Sequence, residues 1–357
     1  MKISFQKQLI NPELPCHMDG YADRISYEQH DDLEINSLLI ESNEIILIHV
    51  LDLILIEKQF GEKVKSTLSE KFSISKENII IEATHTHSGP KVSTMFYPEI
   101  TPSQDYLQLL LDMIVKNTEF CLNHKMEARA YYGICEINGY YCNRNDRSLP
   151  FNNKGYILQF RNHSNDPLVS LINIACHPTV LAKDNLFISS DYIGELREEY
   201  YHLNQTPAII INGECGDVST RFTRQGDDFA ETRRIGKGIA RVLAEVKDFR
   251  EITMDNLCVS SFTLKIDKTI KPTVHLYEFD DIRFVTIPGE IVYNLGQLIR
   301  SQDGKPAFIL AYANEYNGYA VDKEQYGKYF ESSITNYPYG KADELVGGVL
   351  NLIKSKS

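Results

Sequence analysis

What most constrains this chain is the recurrence of short apolar runs that stop abruptly on polar residues. The runs ENIIIEA (77–83), KGYILQF (154–160), PLVSLINIACH (167–177), TPAIIINGECGD (206–217) and PAFILAYAN (306–314) read as buried strands. The stretches 45–57, 128–137, 258–265 and 282–287 read the same way. Between them lie segments with helical spacing: 62–71, Pro102–Asn123, 190–203, Asp228–Lys247, a segment after Gly289 reaching Ile299, and Ala342–Ile353. This alternation predicts an α/β protein: a mixed β-sheet core flanked by helices. No repeat or low-complexity linker divides it, so a single domain over 1–357 is expected. The polar loops near 141–153, 218–228 and 314–340 suit the walls of a site better than interdomain linkers.

Composition removes several functional classes. The formal net charge is -12 over 357 residues, and no basic block offsets it, which argues against nucleic acid as a partner. Seven cysteines without a close CxxC pair predict reduced thiols, and the N-terminus MKISFQKQLI lacks the apolar core of a signal peptide. A cytoplasmic chain without a transmembrane segment is the expectation, since no run approaches the length that spans a bilayer. Neither a GxGxxG nor a P-loop signature is present, which leaves nucleotide cofactors unsupported. Oligomeric state leaves no trace in the composition.

The chemistry stands where the strands stop. IIIEATHTHSGPKVS delivers His85 and His87, LINIACH delivers His177, and IIINGECGDVS delivers Glu214, Asp217 and Ser219. Glu290 follows Pro-Gly in RFVTIPGEIV, and ILAYANEYNGY ends in Asn314, Glu315, Tyr316 and Tyr319. Ligand sites of α/β folds form at the carboxyl ends of strands, so a metal site is expected there. If the strand continues through Thr86, alternation points both His85 and His87 to one side. Each residue also has a plainer role open to it. Glu290 equally suits the first turn of a helix, Asp217 and Ser219 suit caps or turns, and His177 beside Pro178 suits a turn. His17 is a further candidate, in a loop with Asp19 and Arg24. Histidine and glutamate together fit Zn2+, which in catalytic sites keeps three protein ligands and an open position for water.

Taken in order, these segments resemble the catalytic domain of the neutral/alkaline, non-lysosomal ceramidases. THTHSGP stands at Thr84–Pro90, ISSDYIG at 188–194, GDVST at Gly216–Thr220, PGE at Pro288–Glu290 and NxYxxY at Asn314, Tyr316 and Tyr319; NRND at Asn143–Asp146 matches the family's NRSP in part. The resemblance implies zinc held by His85, His177, Glu290 and Tyr319. It also implies His87 as proton carrier or oxyanion partner, Arg144 on the polar group of the substrate, and Tyr316 in the catalytic set. Ser219 becomes a residue that lines the site. The implied reaction is hydrolysis of an amide (N-acyl) bond by metal-activated water, as in sphingolipid metabolism. The substrate would be a small-molecule or lipid-like amide. The chain departs from the family in lacking its C-terminal β-sandwich and secretion signal, and Phe330 stands where a tyrosine is expected. Hydrolysis of another ester, lactam or N-acyl compound, or a non-catalytic binding module, stays open.

Overall fold

The computed structural model describes residues 1–355. Three β-sheets repeat one pattern: antiparallel strands, then a strand–helix–strand unit whose two strands pair in parallel. In the first, β1 (Lys2–Leu9), β2 (Glu34–Glu41) and β3 (Ile45–Leu51) run antiparallel. Helix α1 (Lys58–Phe72) then returns the chain to β4 (Ile79–Ala83), parallel to β3 with Leu47 opposite Ile79. Helix α2 (Gln104–Asn123) covers this sheet, and β5 (Met126–Glu127) extends its edge. The second sheet has β6 (Arg129–Glu136), β7 (Lys154–Arg161) and β8 (Pro167–Ile174), then α3 (Tyr192–Asn204) and the parallel β9 (Ala208–Asn212). Helix α4 (Phe229–Ala244) packs on α3, and β10 (Arg250–Ile252) closes the edge beside β6. The third sheet has β11 (Cys258–Thr263), β12 (Thr273–Glu278) and β13 (Arg283–Thr286). A short strand, β14 (Glu290–Ile291), and α5 (Tyr293–Arg300) lead to β15 (Ala307–Leu310), which is parallel to β13. The two-residue β16 (Tyr319–Ala320) pairs with β14, and α6 (Lys341–Lys354) ends the described chain.

The parity of the buried residues explains why the strands read as unbroken apolar runs. Ile46, Ile48 and Ile80 join Leu158, Phe160, Leu171, Ile209, Phe284 and Phe308 in a core shared by the inner faces of all three sheets. Their neighbours Leu47, Ile79, Ile81, Ile172 and Ile210 pack outward under the helices. Strands buried on both faces have no place for alternating polar residues. Each such Ile or Leu contributes roughly 1.5–3 kcal/mol by leaving water. The expected α/β class with helix-flanked sheets is the one observed.

The three parallel pairs meet at the centre, where their carboxyl ends are stitched by polar atoms. The Asn212 N–H donates to Glu82 Oε1 at 2.9 Å, the Ala311 N–H to the Asn212 carbonyl at 2.9 Å, and the Asn314 N–H to the Ile81 carbonyl at 2.7 Å. Asn173 links β8 to β15 by donating to the Ile309 carbonyl at 3.0 Å. The strand ends that carry the chemistry-bearing residues are thereby tied together by backbone and side-chain hydrogen bonds.

Several local expectations shift. The apolar stretch 45–57 is a strand only to Leu51; beyond it the chain is buried loop, because Asp52 turns inward to meet Arg197. Strands β1, β2 and β12 have weaker apolar patterns and were not expected. Helix α5 begins at Tyr293, and Glu290 lies on β14 rather than in a first helical turn.

His49, wholly buried on β3, accepts or shares hydrogen bonds with Ser37 at 2.8 Å and Thr118 at 3.4 Å. Burial pushes its imidazole down to about 3, far below the ordinary histidine value of about 6.5. The folded state therefore holds it neutral while the unfolded chain binds a proton below pH 6.5, so stability is full above that pH and falls as the pH drops toward 3. Urea unfolding at pH 6.5 and pH 5 should show His49 costing roughly 1.5–2 kcal/mol across that interval. A His49→Gln variant should lose that part of the slope; an identical slope in the variant would remove His49 as its source.

Candidate metal centre

His85 is placed by the chain's exit from β4. The Thr84 and His85 N–H groups continue to donate to the Leu51 and Leu53 carbonyls at 2.9 and 2.8 Å, so the segment stays attached to the end of β3. Asp52 accepts from the Thr84 hydroxyl at 3.1 Å and braces the same stretch. His85 itself has a left-handed backbone, φ 72°. That turn, and not strand alternation, sets the direction of the two histidines: the strand ends at Ala83, before either of them. They still converge, with their Nε2 atoms 3.2 Å apart and rings edge to face.

His177 follows β8, where its N–H donates to the Val218 carbonyl at 3.1 Å. Its Nδ1 lies 2.7 Å from the Cys215 carbonyl, and the Nδ1 of His85 lies against the Ile54 carbonyl. A ring nitrogen facing a carbonyl must carry the proton, which leaves both Nε2 atoms with free lone pairs. Glu290 completes the group. Its carboxylate is 2.7 Å from His177 Nε2 and 3.6 Å from His85 Nε2. Ligand atoms of His85, His177 and Glu290 lie within 4.8 Å of one another, and all three residues are buried. Burial opposes the charge of Glu290, but the positive charge gathered around it, the Arg144 guanidinium included, holds the carboxyl below its usual range. Burial also pushes His85 down to about 4, which keeps it in the neutral form a cation requires. Donor types, tautomers and ionisation all fit a divalent cation such as zinc.

Tyr319 reaches the same point by backbone pairing. It sits opposite Glu290 in the parallel β14–β16 register, and its ring stacks 6.4 Å from that of His177. The approach of these strands depends on Gly289 (φ 153°): a Cβ there would lie 2.3 Å from the Gly318 carbonyl oxygen. Burial and the Glu290 carboxylate raise the Tyr319 phenol, against the opposing pull of Arg144, whose guanidinium lies 5.2 Å over the ring.

The remaining expected residues surround this core. His87 is half-buried at the cleft, with its Nδ1 buried and unpartnered, and desolvation together with His85 and His177 pushes it well below its ordinary value. Tyr21 covers its ring at 4.7 Å, and a Cβ on Gly20 would come within 2.8 Å of it. Arg144 donates through Nε to Glu331 at 2.7 Å, and Nη1 is 3.4 Å from His177 Nε2; its buried Nη2 has no partner. Tyr316 donates its hydroxyl to Glu290 Oε1. Ser219 lines the cleft and accepts from the Arg221 N–H at 3.2 Å.

Other strand-end residues serve the frame. Asp217 accepts from the Tyr293 N–H at 2.8 Å at the start of α5, and Glu214 is bound by Arg300 at 2.6 Å. Glu315 pairs with Lys58 at 2.9 Å, and Asn314 accepts from the Ile81 N–H at 3.1 Å. His17 is turned away to Asp23, whereas its neighbours matter: Arg24 donates to the His87 carbonyl at 2.6 Å, and Asp19 accepts from the Val92 N–H at 2.8 Å. Three contributors escaped the sequence reading. Tyr312 stacks on His85 at 4.0 Å, Tyr21 caps His87, and Glu331 orients Arg144. Tyr312 lies two residues past β15 in ILAYANEYNGY, where a tyrosine among apolar residues reads as core, and Tyr21 and Glu331 stand away from every apolar strand end.

Together these residues line a cleft of about 380 Å³ with the metal-compatible group at its base. The architecture has solved counterparts. A neutral ceramidase from Pseudomonas aeruginosa superposes with a TM-score of 0.86 over 99% of this chain and 74% of that one, at 16% identity. The fold is that of a ceramidase. A ceramidase complexed with C2 gives 0.84 over 99% and 75%, at 15% identity. No family model matches the sequence, and no curated protein does. Among the described residues no helix is long and apolar enough to cross a membrane.

Proposed function

We propose that the protein is a zinc-dependent amidohydrolase that cleaves an N-acyl amide bond. The observation carrying this reading is the convergence of His85, His177 and Glu290, with both histidines locked in the metal-binding tautomer by backbone carbonyls. Tyr319, held in register opposite Glu290, is the fourth ligand in this reading. When bound, zinc supplies Lewis acidity toward a carbonyl oxygen and lowers the pKa of water.

The chain's own residues then divide the remaining work. His87, half-buried and neutral with Nε2 facing the ligand group, holds or relays a proton at the amide nitrogen. Arg144 is fixed by Glu331 and keeps Nη2 free to donate to the substrate carbonyl as negative charge develops there. Tyr316 and Tyr312 orient Glu290, Tyr312 from 3.4 Å. Amide chemistry is supported further by the ceramidase fold, whose solved examples include a neutral ceramidase.

Metal analysis tests this directly. Protein purified without chelator should carry one zinc per chain, and His85→Ala should carry about a tenth of that or less. A chelator should abolish hydrolysis of a medium-chain N-acyl amide, and added zinc should restore it. Equal metal content in wild type and His85→Ala would sink the assignment.

A further inference from the structure

The cleft above the ligand group has walls of two chemical kinds. Phe96, Phe330 and Ile334 form an apolar part; Phe330 is 62% and Ile334 47% exposed. Arg221 and Arg224 form a cationic part, on the loop that leaves Ser219. The two arginines differ from the other arginine of the cleft and from the buried ones that brace the frame. Arg144, in the same cleft, is matched by Glu331 at 2.7 Å, and Arg197, Arg283 and Arg300 all have carboxylates of their own. Among the described residues neither Arg221 nor Arg224 has a carboxylate within 4.0 Å.

Arg224 is nonetheless positioned. Its Nη1 donates to the carbonyls of Thr179 and Val180, both at 3.1 Å, which fixes the guanidinium and leaves its other donors uncommitted. Arg221 is exposed, with its guanidinium 5.4 Å over the Phe222 ring. The cleft thus presents two unmatched positive charges in a chain whose net charge is -12. A neutral amide would leave both without a partner, whereas an anionic group gains from both and is steered toward the cleft.

We propose that the substrate is an N-acyl amide whose amine portion bears a carboxylate, as in an N-acyl amino acid. The carboxylate is received by Arg221 and Arg224 and the acyl chain by Phe96, Phe330 and Ile334. This specificity rests on the amidohydrolase reading of the site.

N-dodecanoylglycine and N-dodecanoylethanolamine share an acyl chain and an amide and differ in charge, so the pair isolates the inference. Calorimetric binding to the zinc-loaded protein should favour the glycine conjugate by about tenfold, a preference that shrinks with added salt. The ratio of kcat/KM should favour it similarly, through KM. In the Arg221→Gln/Arg224→Gln variant both ratios should fall to about one, after thermal melting has confirmed that it folds. A ratio near one in wild type, or a preference that survives in the variant because the carboxylate binds elsewhere, overturns the proposal. Turnover of both amides without discrimination would leave the hydrolase reading standing and the arginine role refuted. A variant-sensitive binding preference with no turnover of either would do the reverse.

Discussion

Glu290→Gln should abolish both metal retention and hydrolysis while leaving the fold in place. The substitution keeps nearly the same shape but removes the one negative charge on which the site converges. His177 at 2.7 Å, His85 at 3.6 Å and the hydroxyls of Tyr312 and Tyr316 all meet this carboxylate. Changes to residues that merely support ligands typically cost 10–100-fold in metal affinity, so losing a ligand charge should cost at least about 100-fold. Zinc per chain, measured after dialysis against a weak chelator, should fall to background, with hydrolysis of N-acyl amides down by about 1,000-fold or more. Near-wild-type metal content would mean that Glu290 is a buried hydrogen-bond acceptor and no ligand.

The second large effect lies away from the cleft. Arg197→Leu should destabilise the protein by about 3–5 kcal/mol, because it strands Asp52 as a buried charge without its counterion. Arg197 Nη1 donates to Asp52 Oδ1 at 2.9 Å, Arg197 is 3.3 Å from Glu34, and Asp52 is fully buried. Asp52 also accepts from Thr84, next to His85, so metal affinity should weaken together with stability. The double variant Asp52→Asn/Arg197→Leu should recover part of the loss, since the stranded charge is gone. Urea denaturation gives the numbers, and a single-variant loss below about 1 kcal/mol would contradict the buried-charge account.

The sequence disclosed those features that are local. Strands buried on both faces have to be apolar at every position, so β4, β8, β9 and β15 were readable as runs. Their polar ends were readable for the same reason. His85 and His87 were legible as a pair, but the φ of 72° at His85 was not, since nothing in THTHSGP marks a histidine for left-handed backbone. Glu290 had a helical alternative because its true partner, Tyr319, lies on a strand of only two residues reached after a whole helix and β15. The ties between Arg144 and Glu331, and between Asp52 and Arg197, likewise join distant segments, and charge alone does not say which carboxylate meets which guanidinium. Strands β1, β2 and β12 escaped notice because each mixes polar residues among the apolar ones.

The order in which the proposed ligands occur along the chain carries a consequence for biosynthesis. His85 leaves the ribosome long before Tyr319, by roughly 10–50 s at ordinary rates of synthesis. During that interval the first sheet can form, but β14 and β16 do not yet exist to bring Glu290 and Tyr319 to it. Cys176 and Cys215, buried in the finished protein, emerge in the meantime as competing thiol ligands beside the unfinished pocket. If the site takes a metal as proposed, loading would be a step after synthesis, and its fidelity would depend on the third sheet closing before a thiol captures the ion.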